Sequence, residues 1–310
     1  MFNKLQVKPL SVTILGSNSA VPSLERNPTS QIVTYGNKKF MIDCGEGTQL
    51  AMRRFKISLQ SVDHIFISHL HGDHYFGLIG YISTLHLLGR SKELHLYGPA
   101  DLEHIINIQL DASQTFLTYP LIFHPTAGDD VSECYNDGNL SVTSFPMIHR
   151  IPTTGFIFRE LHPYKHLRAD VIKLLKIPFE RLEGIRKGDD FTDEKGQVIL
   201  NKDITLPIAE ARKYVFFADT AISDKYMSLV ENADLLYHEA TFMESHKQAA
   251  IDKFHSTAKQ AAGLALSSQA KRLVIGHFSA RYKDTDGLMR EAREVFENTD
   301  VAIEGMVFNL

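Results

Sequence analysis

Hydrophobic periodicity divides the chain into two stretches that alternate between sheet and helix. Short β-rich runs bounded by Gly, Asn or Pro come first, with Gly36-Asn37 as a two-residue hairpin turn. The pattern then predicts helices over residues 48–55, 75–88 and 100–110, and strands over 11–15, 31–35, 39–43, 64–68, 93–97, 140–146 and 154–158. A second stretch predicts strands over 213–218, 235–238, 272–276 and 302–308, and helices over 223–230, 256–268 and 285–296.

A middle segment, about residues 159–210, separates these two halves and shows little strand pattern. Between residues 159 and 187 it carries eight Lys or Arg against four Asp or Glu, a local charge of +4, and acidic residues reverse the balance further on. An inserted segment of this length in a compact domain more often has a function than not. An ordinary solvated insertion is the alternative interpretation.

Composition limits the classes of protein that the chain can represent. With 310 residues and 44% hydrophobic content, it can bury a large core in one or two domains. A net charge of −4 gives no overall basic character, so a nucleic-acid partner would need a local patch. Only Cys44 and Cys134 are present, which favours a reducing compartment over a disulfide framework. With neither a signal-type apolar region at the start nor a membrane-length apolar run, we expect a soluble, cytoplasmic protein.

The most informative motif is Ser-His-Leu-His-Gly-Asp-His, which begins at residue 68. It places His69, His71, Asp73 and His74 directly after a strand-like apolar run, where a strand opens into a loop and the side chains can converge. Imidazoles alternating with a carboxylate suit zinc or another borderline metal. The motif therefore predicts half of a dinuclear metal site, and a polar loop of coincidental composition is the alternative.

Three distant residues follow other predicted strands and could complete this site. His149, Asp219 and His277 each come just beyond an apolar strand-like run, where α/β sheets gather functional groups. We predict that His69, His71 and His149 hold one metal, that Asp73, His74 and His277 hold the other, and that Asp219 bridges both. The shell favours zinc, two ions per subunit, with Mn²⁺ or Fe²⁺ also compatible. The remaining histidines, including His64, His95 and His124, are expected to show no such convergence.

These ligands, in this order, resemble the metallo-β-lactamase superfamily. The resemblance implies an α/β fold over residues 1–310, a single αββα four-layer sandwich made of two similar halves. Further motifs resemble the ribonuclease Z family: Gly16-Ser17-Asn18-Ser19-Ala20-Val21-Pro22, Ile42-Asp43-Cys44-Gly45-Glu46-Gly47-Thr48-Gln49, His238-Glu239-Ala240-Thr241, His255-Ser256-Thr257 and Gly276-His277-Phe278-Ser279-Ala280-Arg281-Tyr282. The segment 159–210 lies where that family inserts its flexible tRNA-binding arm.

The resemblance implies a zinc-dependent endoribonuclease that removes the 3′ trailer from precursor tRNA. Hydrolysis would leave a 3′-hydroxyl on the tRNA and a 5′-phosphate on the trailer, and homodimerisation is expected. Asp73 would also act on the attacking water. The departing oxygen needs a proton, for which His255 is a plausible general acid oriented by Glu239.

Other interpretations of the same residues stay open. His255 could simply precede a helix that Ser256 caps. A small-ester hydrolase or phosphodiesterase of the same superfamily, and a catalytically silent RNA-binding module, are the alternative functions. The sequence departs from the family pattern at two places. Residues 177–184 hold a single proline and a single glycine, where the arm of many bacterial members has a Gly/Pro-rich tip. Leu24 occupies a position where lysine is frequent in the family.

Overall fold

A computed structural model describes residues 8–161, 165–206 and 210–310 of the chain. Within these ranges the strands are β1 (Leu10–Gly16), β2 (Asn18–Ser19), β3 (Ser30–Tyr35), β4 (Lys38–Cys44), β5 (Val62–Phe66), β6 (Leu94–Gly98), β7 (Leu121–Pro125), β8 (Ser132–Asn136), β9 (Leu140–Pro146), β10 (Thr154–Glu160), β11 (Phe191–Thr192), β12 (Val198–Ile199), β13 (Lys213–Phe217), β14 (Leu235–Glu239), β15 (Leu273–Gly276), β16 (Phe278–Ser279), β17 (Thr299–Val301) and β18 (Val307–Asn309).

The α-helices of the same ranges are α1 (Thr48–Arg54), α2 (Gly72–Tyr75), α3 (Leu78–Leu87), α4 (Asp101–Ala112), α5 (Ala169–Leu174), α6 (Phe179–Lys187), α7 (Asn201–Ile204), α8 (Met227–Val230), α9 (Lys247–Lys253), α10 (Ala258–Ser267) and α11 (Asp286–Arg293). The two-residue turn Gly36-Asn37 joins β3 to β4 as predicted, since Tyr35 pairs with Lys38.

Two seven-stranded sheets form the centre of the described structure. Their strand orders are β18-β1-β3-β4-β5-β6-β7 and β17-β15-β14-β13-β10-β9-β8. The strands β4 to β7 run parallel to one another, and so do β13, β14, β15 and β17. The sheets face each other across a core that includes Phe66, Phe156 and Phe216.

Helices cover the outer face of each sheet. Ile65 on β5 packs with Ala51 of α1 and Tyr81 of α3 on one side. On the other side, Val215 and Ile275 pack with alanines and leucines of α10 and α11. Because successive strand residues point to opposite faces, strands covered on both faces read as the continuous apolar runs seen in the sequence. The layers therefore follow the order helix, sheet, sheet, helix, as predicted for the αββα sandwich.

Several element boundaries differ from the predictions. The predicted helix over 75–88 is divided into α2 and α3, and only the last turn of the helix predicted over 223–230 is present, as α8. The strands β7 and β8 and the helix α9 were not predicted. The strand predicted over 302–308 is replaced by β17 and β18, which join different sheets because the chain crosses between the sheets around Ala302.

The middle segment forms a small packed unit of its own. Its predicted start was too early, because Arg159 still pairs with Lys213 and β10 ends at Glu160. The helices α5 to α7 and the β11–β12 hairpin surround buried Ile185 and Ile204. Residues 162–164 and 207–209 of the predicted arm lie outside the described residues.

Among the described residues, none of the helices combines the length and apolar character that crossing a bilayer requires.

Candidate active site at the carboxyl ends of the strands

The seven donor residues predicted from the sequence lie at one end of the two facing sheets. They are His69, His71, Asp73, His74, His149, Asp219 and His277. The first four follow β5, and the other three follow β9, β13 and β15. Because these strands run in the same direction within their sheets, their carboxyl ends meet at a shared edge. Asp73 and His74 lie in the one-turn helix α2 rather than in the predicted loop.

A first group joins His69, His71, His149 and Asp219. One potential ligand atom from each residue lies within 4.8 Å of the others. Nε2 of His69 lies 3.0 Å from Nδ1 of His71, and Nε2 of His149 lies 3.2 Å from the same atom. Oδ2 of Asp219 is 3.7 Å from Nε2 of His69. Such spacing allows four side chains to share one ion.

A second group joins Asp73, His74 and His277 on the other side of Asp219. Oδ2 of Asp73 lies 3.6 Å from Nε2 of His74 and 3.3 Å from Nε2 of His277. Oδ1 of Asp219 faces this group, at 3.4 Å from His74 and 3.1 Å from His277. The two oxygens of Asp219 therefore point to different groups, as a bridging carboxylate requires.

The donor atoms fit divalent metal ions by their chemistry, and two of them have no hydrogen-bond partner. Nε2 of His74 and Oδ1 of Asp219 are buried and accept or donate no hydrogen bond among the described residues. Unpaired buried polar atoms are costly, and a metal ion would compensate both. Burial alone would raise the pKa of Asp219, but the nearby His277 and His74 hold it well below its usual range, so this carboxyl is ionised. A thiolate-free set of imidazoles and carboxylates suits zinc, manganese or iron.

Asp43 supports this site and was not assigned a role from the sequence. It is fully buried at the end of β4, with a positive φ of 54° that is rare for residues other than glycine. Its carboxylate accepts hydrogen bonds from the backbone N–H and hydroxyl of Ser68, and lies 2.7 Å from Nδ1 of His74. A carboxylate on Nδ1 leaves Nε2 of the imidazole with its lone pair for a metal. The only sequence signal was its place in the motif Ile42-Asp43-Cys44-Gly45.

Two further contacts orient the imidazoles contributed by the second half. Nδ1 of His149 donates to the backbone carbonyl of Phe254 over 3.0 Å, which leaves Nε2 directed at the first group. Nδ1 of His277 lies 2.9 Å from the hydroxyl of Thr241. The backbone at His277 also has a positive φ, of 58°. Non-glycine residues in this region cluster at functional sites, where the surrounding structure holds them.

The predicted pair Glu239 and His255 lies beside the donor residues. Oε1 of Glu239 is 3.0 Å from Nδ1 of His255, and Oδ2 of Asp219 is 3.9 Å from the same nitrogen. Burial would lower the pKa of His255, but the carboxylates of Glu239 and Asp219 outweigh it and raise the pKa to about 9. Both carboxylates therefore favour the protonated form of the His255 imidazole.

The Glu239 carboxylate is held in place by several hydrogen bonds. Its carboxylate accepts from the backbone N–H groups of Thr220, Thr241 and Ser256 and from the hydroxyl of Thr241. The residue that caps α10 is Thr257, whose hydroxyl accepts from the N–H of Gln260, so Ser256 is not the helix cap that the alternative interpretation required. His255 is thus held by a carboxylate rather than only preceding a cap.

Three other histidines form no metal-capable group among the described residues, as predicted, but they stack against one another. His64, His95 and His124 lie on the adjacent strands β5, β6 and β7, with ring centroids 4.9 Å and 5.3 Å apart along the stack. Nδ1 of His95 lies 3.0 Å from Nε2 of His124. The sequence could not show this, because only the strand register places the three side chains side by side.

Solved structures share this architecture. Human tRNase Z, short form, superposes with a TM-score of 0.71 at 26% identity, covering 96% of this chain and 98% of that chain. The metallo-β-lactamase fold protein YhfI from Bacillus subtilis gives a TM-score of 0.69 at 20% identity, covering 98% and 100%. The family model described as "Anti-Pycsar protein Apyc1" matches residues 10–119. The fold and the strand-end cluster of His and Asp side chains are those of a metallo-β-lactamase fold protein.

Similar curated proteins identify the family within this fold. Ribonuclease Z of Bacteroides fragilis is 43% identical over 297 residues, which cover 96% of this chain and 98% of the relative. Ribonuclease Z of Parabacteroides distasonis is 44% identical over 298 residues, covering 95% and 97%. The chain belongs to the ribonuclease Z family of nucleases.

Proposed function

We propose that this protein is a zinc-dependent endoribonuclease that removes the 3′ trailer from precursor tRNA. Cleavage leaves a 3′-hydroxyl on the tRNA and a 5′-phosphate on the trailer. The observation that carries the proposal is the position of Asp219, whose two oxygens face two groups of donor residues while the Glu239–His255 pair lies beside them. Family membership and the likeness to human tRNase Z support the RNA substrate.

Two zinc ions per subunit fit the donor residues, with Mn²⁺ or Fe²⁺ as compatible replacements. His69, His71 and His149 would hold one ion, Asp73, His74 and His277 the other, and Asp219 would join both. When bound, such ions supply a water nucleophile at neutral pH and stabilise charge on phosphoryl oxygens.

Asp73 is proposed to orient the attacking water. Its Oδ2 accepts a hydrogen bond from the backbone N–H of Ala20 over 2.7 Å, so the carboxylate is fixed in direction. The short pairing of Asn18–Ser19 with Phe278–Ser279 ties the loop that carries Ala20 to the loop after His277. Both halves of the sandwich therefore hold the carboxylate.

His255 gives its proton to the departing 3′ oxygen of the tRNA. The buried carboxylate of Glu239 keeps the imidazole protonated and fixes its orientation through Nδ1, which leaves Nε2 for proton transfer. This division of roles meets the requirement of phosphodiester hydrolysis, which needs a nucleophile on one side of phosphorus and an acid on the other.

The charged segment 159–210 is proposed to bind the body of the tRNA. Its exposed Lys and Arg side chains suit contacts with phosphates, which supply most nucleic-acid affinity. Homodimerisation would allow one subunit's segment to hold tRNA bound at the partner's site. The two free cysteines agree with a reducing, cytoplasmic setting.

Removing this segment separates tRNA processing from general phosphodiester hydrolysis. Because Arg159 pairs with Lys213 and Glu160 with Arg212, a short turn replacing residues 162–210 keeps the β10–β13 pairing. We expect the shortened protein to retain activity on a small phosphodiester and to lose most cleavage of precursor tRNA. The cleavage position on the tRNA is mapped to the nucleotide. Equal activity of both proteins on both substrates would contradict the proposal and favour a small-ester or phosphodiester hydrolase.

A further inference from the structure

Phe254 is an unusual residue at its position. It ends α9 in the left-handed conformation, with φ 56° and ψ 48°, where glycine or asparagine is usual. A large side chain in this region costs free energy unless something compensates it. Burial of the ring would be the ordinary compensation, yet the residue is 39% exposed.

Its location links this residue to both sides of the candidate site. The carbonyl of Phe254 accepts the hydrogen bond from Nδ1 of His149, and the next residue is His255. The rings of His149 and His255 are 5.3 Å apart. Phe254 is therefore placed between a predicted metal ligand and the predicted proton donor.

Basic residues lie close in the chain to Phe254 and to the hydrogen bond that its carbonyl accepts. Arg150 and Lys253, the chain neighbours of His149 and Phe254, are exposed. Lys253 and Arg281 both lie over the ring of Phe242, at 6.0 Å and 4.9 Å from its centroid, and that ring contacts His255. Exposed aromatic rings among cations are the combination by which proteins hold single-stranded nucleic acid, with bases stacked on the rings.

We infer that Phe254 is a stacking platform for the base of the nucleotide on the 5′ side of the cut. The inference rests on the proposed function, because it takes the departing 3′ oxygen to be protonated by His255. That oxygen belongs to the nucleotide on the 5′ side, so we assign the base of this nucleotide to the residue that precedes His255. The subsite takes an unpaired nucleobase, and it is tolerant of base identity because every base has a π face.

The test removes the ring and the base separately. Phe254→Gly deletes the ring and suits the left-handed backbone, so the carbonyl that orients His149 is retained. Phe254→Tyr keeps the ring, and Phe116→Gly removes a ring that is 85% exposed elsewhere on the surface. Precursor tRNAs are made with a normal nucleotide or an abasic nucleotide on the 5′ side of the cut, and a third carries the abasic nucleotide on the 3′ side.

We expect Phe254→Gly to lower kcat/KM by about 5- to 100-fold on the normal precursor and on the precursor that is abasic on the 3′ side. On the precursor that is abasic on the 5′ side, Phe254→Gly and the unaltered protein should differ by less than about twofold, since the stacking partner is already gone. Phe116→Gly should match the unaltered protein on all three. Phe254→Tyr, which keeps a ring at the position, should restore most of the activity that Phe254→Gly loses.

An equal loss on all three precursors would assign Phe254 to positioning of His149 or His255 and overturn the inference. No loss at all, or a loss tied to the base on the 3′ side, would overturn it as well. These outcomes leave the proposed function standing. If the unaltered, metal-loaded protein cuts none of the precursors, the proposed function fails, and the inference fails with it.

Discussion

The carboxylate of Asp43 lies 2.7 Å from Nδ1 of His74, and both side chains are almost completely buried. Asp43 also accepts two hydrogen bonds from Ser68, so a single carboxylate fixes the start of the loop that carries His69 and His71. The contact between Asp43 and His74 joins the end of β4 to α2. It also decides which nitrogen of His74 faces the other donor residues.

Asp43→Asn should weaken metal binding with little change to the backbone. Asparagine tolerates the positive φ at this position, but its side chain has one acceptor oxygen for three donors. We expect zinc affinity to fall by about 10- to 100-fold, the usual effect of losing such a support. A competition titration of metal-free protein with a zinc-binding dye measures this, with exposed Asp111→Asn as control. Unchanged affinity would show that Asp43 does not set the orientation of His74.

Asp219→Ala should remove both ions, because each of its oxygens faces a different group of donor residues. Elemental analysis of the purified protein gives the number of ions per subunit. Asp224→Ala, an exposed carboxylate a few residues further along the chain, is the matched control. A full complement of two ions in the Asp219 variant would contradict the bridging role.

His255→Ala should keep the metal content and slow cleavage by about 10²- to 10⁴-fold, the usual contribution of a general acid. The imidazole is held by Glu239. Its donor atom also lies within 4.8 Å of donor atoms of Asp219 and His277, but neither of the two predicted ligand sets includes it, so we expect its removal to leave both sets in place. Single-turnover cleavage of precursor tRNA is the measurement, with exposed His104→Ala alongside. An unchanged rate would limit His255 to a structural role before α10.

Asp63 should contribute to stability in a pH-dependent way. Burial would raise its pKa, but hydrogen bonds from Lys92 and buried Arg90 outweigh this and lower it. The folded-state pKa lies below the unfolded-state pKa of about 3.9. The ionised carboxylate therefore adds its full contribution to the free energy of unfolding above the unfolded-state pKa, and this contribution is lost as the pH falls through the folded-state pKa. Urea unfolding at several values between about pH 6 and pH 3 measures the free energy of unfolding. This free energy should therefore fall less steeply with decreasing pH in Asp63→Asn than in the unaltered protein. Parallel curves for both proteins would contradict this.

The layer architecture and the donor residues could be predicted because each depends on local sequence. Strands buried on both faces give continuous apolar runs, and a predicted ligand such as His277 follows such a run directly. Asp43 and the stack around His95 were missed because their partners are set by strand register, which periodicity does not contain. The weak strands β7 and β8 at the sheet edges were missed because they are only partly buried and so lack a strong apolar pattern.

The separation of β17 from β18 has a consequence for how the sandwich can assemble. β18 pairs with β1, for example Phe308 with Val12, although nearly the whole chain lies between them. Closing so long a loop is slow, and until it happens β1 presents unpaired backbone groups to any other strand. A fragment containing only the first half should therefore aggregate rather than fold, and the two similar halves are not exchangeable modules.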